Sequence, residues 1–133
     1  MNELSKLAID YYKDKDLKLN EIVTEIDNLK IDVVRHFLEN SDDDKVYVIK
    51  RSGNLEEYNQ DKILRSIKNA ADQNGQQLNT SDLEIIMDDV TDNMKEQGRK
   101  VFRTYEIKDF VKKALINEGY SRIYDSFQSY IQI

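Results

Sequence analysis

A chain of 133 residues with no proline and only four glycines has few places where a helix must stop. Proline costs about 3 kcal/mol inside a helix and glycine about 1, so the commonest breaks are scarce. The corner residues that an all-β chain needs are scarce for the same reason. Long helices are therefore expected. Apolar residues make up 39% and charged residues 35%, the balance of a thin helical protein with much solvated surface. The composition also excludes chemistry. Without cysteine there is no disulfide, thiol nucleophile, iron–sulfur cluster or Cys-ligated zinc. A single histidine, His36, cannot build a His metal cluster or a catalytic dyad. No apolar run approaches the ~18 residues of a membrane span, and the first residues lack a signal-peptide pattern. A soluble, cytoplasmic protein is expected, without a membrane association.

The net charge of −6 is unevenly placed. Residues 1–44 hold 12 acids and 6 bases, whereas residues 45–133 hold 14 of each. The acidic first part is a poor electrostatic match for DNA and a better one for a protein partner. Between the parts, Asn40-Ser41-Asp42-Asp43-Asp44 is a run of short polar and like-charged residues that reads as a linker. Two domains are expected: a helical extension at 1–44 and a second domain at 45–133. In the first, Leu4, Leu7, Ala8, Tyr11 and Tyr12 recur at helical spacing. Leu19, Ile22, Val23, Ile26, Leu29, Val33 and Phe37 then repeat every three or four residues. That second stripe is either one long helix or two broken near Asp27-Asn28.

The second part opens with Lys45-Val46-Tyr47-Val48-Ile49-Lys50, a β-branched and aromatic strand ending at the turn signal Ser52-Gly53-Asn54. Leu55 to Tyr58 returns as a second strand. Asn59 caps a helix whose inner face carries Ile63, Ile67, Ala70 and Ala71. After a polar loop around Gly75, Ser81 and Glu84 suggest a capping box ahead of Leu83, Ile86, Met87, Val90 and Met94. Gly98 ends that helix. Lys100 to Arg103 is a third strand, and Thr104 caps a helix with Ile107, Phe110, Val111, Ala114 and Leu115. Past Asn117-Glu118-Gly119, a last helix carries Ile123, Tyr124, Phe127 and the more distant Tyr130 and Ile131.

Three cations, Lys50, Arg51 and Lys62, fall near one turn and one helix start. Helix-terminal amides and the helix dipole add to their charge, so this is a physically sensible triphosphate site. No Walker A loop is present, so side chains must form most of the cradle. The competing reading is of solvated surface charges.

The stretch from Val48 to Ile63, with Lys50-Arg51, Gly53, Asn59 and Lys62-Ile63, resembles the opening of the ATP-cone. This is a nucleotide-binding regulatory domain of many ribonucleotide reductases and of the bacterial repressor of reductase genes. The resemblance continues through Arg103-Thr104-Tyr105-Glu106-Ile107 and Tyr120 to Tyr124 as far as Tyr130, about two-thirds of the chain. It implies an α+β, mostly helical fold: a small three-stranded antiparallel sheet capping a four-helix cone. It implies ATP or dATP as ligand, at one site or two neighbouring ones, with magnesium as a companion of the phosphates. Lys50, Arg51 and Lys62 would contact phosphates. Glu56 and Asn59 would lie by the sugar and phosphates. Thr104 and Lys108 would lie near the adenine, walled by Val48, Ile63 and Ile107, which also read as plain core residues. Three departures stand out. Ser52 replaces the usual Asp, Lys108 is at a variable position, and Gln128 stands where a basic residue is common, which bears on a second nucleotide or an oligomer contact.

The function expected from this resemblance is a regulatory nucleotide sensor that controls self-association or a protein partner through the N-terminal helices. It would have no active site and a link to deoxyribonucleotide metabolism. The alternative is a transcription regulator in which Leu19 to Leu38 forms a helix-turn-helix-like segment. Its acidity disfavours DNA, and the zinc ribbon of the reductase repressor needs four cysteines absent here. A third reading, a nucleotide hydrolase, lacks a placed general base. Adjacent carboxylates such as Glu56-Glu57 and Asp88-Asp89 do not face each other on a strand or helix. His36 and the Asp42-Asp43-Asp44 run read as structural and solvated respectively.

Overall fold

A computed structural model describes residues 1–42 and 44–127. Asp43 of the linker, Gln128, Tyr130 and Ile131 lie outside the described residues. The chain divides into two units, Met1–Ser41 and a second from Asp42 onward.

The first unit is helical. Asn2 caps α1 (Glu3–Tyr12), its side chain accepting from the Ser5 N–H at 2.7 Å. Helix α2 (Leu19–Glu39) runs for 21 residues without a break at Asp27-Asn28. Asp and Asn each cost less than about 1 kcal/mol relative to Ala in a helix, too little to stop one that has no glycine or proline. The helix-turn-helix alternative therefore fails in this segment, because the turn it needs is helix. His36 is exposed and meets Phe37 edge to face at 5.4 Å.

The second unit begins with a hairpin of β1 (Tyr47–Ile49) and β2 (Leu55–Glu57). Its loop is closed by the Gly53 N–H donating to the Lys50 carbonyl, and the Lys50 N–H donating to that of Asn54, both at 2.8 Å. Gly53 has φ 91°, a conformation that other residues resist. Helices α3 (Gln60–Gln73) and α4 (Thr80–Glu96) follow, then β3 (Val101–Arg103), α5 (Thr104–Asn117) and α6 (Ser121–Phe127). The strand order is β2-β1-β3.

The sheet is mixed, which corrects the expected antiparallel sheet. β1 pairs antiparallel with β2 but parallel with β3, with Ile49 opposite Arg103. Parallel neighbours need a long crossover, and β2, α3 and α4 supply it. The strand sequences show pairing propensity but carry no mark of direction.

Two helix starts also differ from expectation. The cap of α4 is Asn79 rather than Ser81. Its side chain accepts from the Asp82 N–H at 2.8 Å, and Asp82 accepts from the Asn79 N–H at 3.0 Å. Thr104 is the first residue of α5 rather than its cap, and the cap position is Arg103. Helix α3 packs on α6 and α4 on α5. The small Ala70 and Ala71 leave space for large side chains such as Phe127, and Ile63, Ile67, Ile86, Met87, Phe102, Ile107 and Leu115 complete one core with them.

Candidate functional site

The period of two in β1 places Val48 and Lys50 on one face, and register sets Glu56 directly across from Val48. Val48 is buried in the core while Lys50 reaches the rim. After β2, the Tyr58 N–H donates to the Val46 carbonyl at 2.8 Å, extending the hairpin to the start of α3. There the Asn59 side chain accepts from the Asp61 N–H at 3.0 Å. Lys62 occupies the first turn of α3, followed by the buried Ile63. Val48, Lys50, Glu56, Glu57, Tyr58, Asn59, Lys62 and Ile63 line one small cleft that opens to solvent.

A single carboxylate organises the rim. One oxygen of Glu56 lies 3.4 Å from Lys50 Nζ and 3.7 Å from Lys62 Nζ. Two ammonium groups from different elements thus converge on one anion. Glu57 points the other way and meets Lys45 at 3.7 Å. The adjacent carboxylates do separate, as strand geometry requires.

The parallel register brings a second helix start to the same end of the sheet. Ile49 is opposite Arg103, so Lys50 and Thr104 leave neighbouring strands side by side. The Thr104 hydroxyl donates to the Ile49 carbonyl at 3.4 Å. This corner is fastened by Glu106. Its carboxylate accepts from the Arg103 N–H at 2.8 Å and from both terminal nitrogens of Arg99, at 2.8 and 3.3 Å. The helix of Thr104 is held by a bidentate ion pair rather than by its own hydroxyl.

The other candidate residues are placed less centrally. Arg51 is exposed in the hairpin loop, one residue beyond Lys50. Ile107 is fully buried in the same core as Val48 and Ile63, so the three proposed walls are all core residues. Lys108 is half-buried one turn into α5. Tyr58, at the end of the returning strand in the sequence, also lines the cleft. Its hydroxyl is buried without a hydrogen-bond partner among the described residues, and burial pushes its pKa up to about 12. An aromatic residue just before a helix-capping Asn was the available signal, but strand propensity accounts for it equally well.

Hairpin, crossover helices and a rim carrying Lys50 and Lys62 at the end of a mixed sheet define a small α+β domain. The model of the ATP cone domain family matches residues 46–133, and the chain belongs to that family. ATP cone domains are regulatory rather than catalytic and bind ATP or dATP as effectors. No curated relative matches the chain. Among the described residues, no helix is long and apolar enough to cross a membrane.

Proposed function

We propose that the second unit of this chain senses ATP or dATP in the cleft between the β1–β2 hairpin and α3, and that the bound nucleotide controls self-association or a protein partner. The observation that carries this reading is the convergence of Lys50 and Lys62 on one Glu56 oxygen. That oxygen marks where an anion is held. Both pairs are partly exposed, and such pairs contribute only about 0–1 kcal/mol each. A triphosphate can therefore displace Glu56 at small cost, with Arg51 closing from the hairpin loop. Glu56 and Asn59 then face the sugar and phosphates. Thr104 and Lys108 lie toward the base, beside the walls Val48, Ile63 and Ile107. The buried Tyr58 hydroxyl, without a partner among the described residues, has a donor to offer the ligand. Magnesium belongs to the same reading, since a triphosphate carries more charge than three cations neutralise.

In this reading the chain turns over no substrate. The nucleotide acts by binding one assembly state better than another, without which nothing shifts. The family supports a link to deoxyribonucleotide metabolism. Calorimetric titration with ATP and dATP is the test. The wild type is expected to saturate, and Lys62→Ala to lose about 1.5–3 kcal/mol of binding as a charge-assisted bond disappears. Equal affinity in the two proteins would remove the phosphate role of Lys62.

A further inference from the structure

Glu56 is the middle residue of β2, which is an edge strand of the sheet. Pairing pins its backbone opposite Val48, but its side chain projects to solvent and can rotate. At 44% exposed it is the most open of the three rim groups, against 22% for Lys50 and 39% for Lys62. It is therefore the one that can swing away without unpacking anything. The lysines stay, one just beyond β1 and one in the first turn of α3. The Glu56 oxygen, 3.4 Å from one ammonium and 3.7 Å from the other, stands where a phosphate oxygen must stand to use both. Carboxylate and phosphate cannot hold the pair at once.

We propose that Glu56 is a built-in competitor for the phosphate end of the cleft. It is a carboxylate gate that must leave Lys50 and Lys62 before a polyphosphate can take them. A tethered carboxylate competes at a high effective concentration. Only molecules with the gate open bind, so apparent affinity falls by the fraction that is open. Both ion pairs are partly exposed and each is weak, so the closed form is favoured by a factor of about three to ten. That penalty applies to every anion that uses both lysines. It turns away weakly held single carboxylates and phosphates, and a triphosphate overcomes it with its additional charges. Glu57 has no part in the gate, since it faces Lys45 instead.

The inference rests on the cleft being a phosphate site, and it names the group that sets the threshold of that site. Inorganic tripolyphosphate, titrated into the intact chain, is the probe, because it has no sugar or base for the side chain at position 56 to touch. Glu56→Gln keeps the shape and removes the charge, and Glu56→Ala removes the reach as well. Both should bind tripolyphosphate about three- to tenfold more tightly than wild type. Asp61→Asn removes one unit of charge from the first turn of α3, where Asp61 is exposed and forms no ion pair among the described residues. Charges beyond contact are largely screened, so this variant should gain less than about twofold.

Saturable wild-type binding that is no tighter in Glu56→Gln and Glu56→Ala would overturn the gate and leave the phosphate site standing. An equal gain in Asp61→Asn would overturn it too, by showing a general field in place of a contact. If neither wild type nor either Glu56 variant takes up tripolyphosphate saturably, the phosphate site is lost and the gate with it.

Discussion

At Glu56 one oxygen holds together two lysines that would otherwise repel. The sequence shows Lys50, Glu56 and Lys62 at intervals of six positions, but not that they meet. They meet because the hairpin doubles back and hands the chain directly to α3. The cations, Asn59 as a cap and the buried Ile63 were therefore legible from residue type and spacing. Tyr58 was not, because burial of a hydroxyl depends on packing that no local pattern records. It yields a prediction of its own. Tyr58→Phe removes a buried hydroxyl that has no partner among the described residues, so stability should hold or rise slightly, while nucleotide affinity should fall. Denaturant melts paired with titrations check both halves; an unchanged affinity would remove the hydroxyl from the site. Titration adds a pH consequence. The folded-state pKa is raised, so between pH 10 and about 12 the unfolded chain releases the Tyr58 proton first. This contribution to stability is complete below pH 10 and is lost as pH rises toward 12. Stability measured across that window in wild type should fall more than in Tyr58→Phe.

Among the elements, the helices are more legible in the sequence than their caps or the direction of the strands. Apolar periodicity gave α3, α4 and α5 their buried faces, because that pattern is what the core selects. Capping failed at α4 and α5 because short polar residues cluster at helix starts, and several can accept the same bond. Asn79 won at α4 through its reciprocal bond with Asp82. Asn79→Ala should cost about 1 kcal/mol in a denaturant melt. At α5 Thr104 offers a capping hydroxyl in the sequence, while the fastening comes from Glu106 and Arg99. Glu106→Ala should cost about 2 kcal/mol, since it removes charge-assisted bonds to both Arg99 and the backbone. It should also weaken nucleotide binding by loosening the corner that places Thr104. A variant as stable as wild type would show that the corner holds without the ion pair. Strand direction was beyond local pattern altogether. Residues 101–103 pair with β1 in parallel because a two-helix crossover intervenes, which is a property of the path of the chain.

At the scale of the whole molecule, an acidic helical unit and a charge-balanced ATP cone lie on one short chain. The first unit leaves an apolar stripe exposed on α2, and the second gathers cations at the end of a mixed sheet. The claim on which the functional account depends is that Lys50 and Lys62 hold a nucleotide triphosphate. Calorimetric titration of ATP into the intact protein, beside Lys50→Ala and Lys62→Ala, addresses it most directly. The account predicts saturable binding to wild type and a loss of about 1.5–3 kcal/mol in each variant. Wild-type protein that takes up neither ATP nor dATP saturably, with or without magnesium, would contradict it.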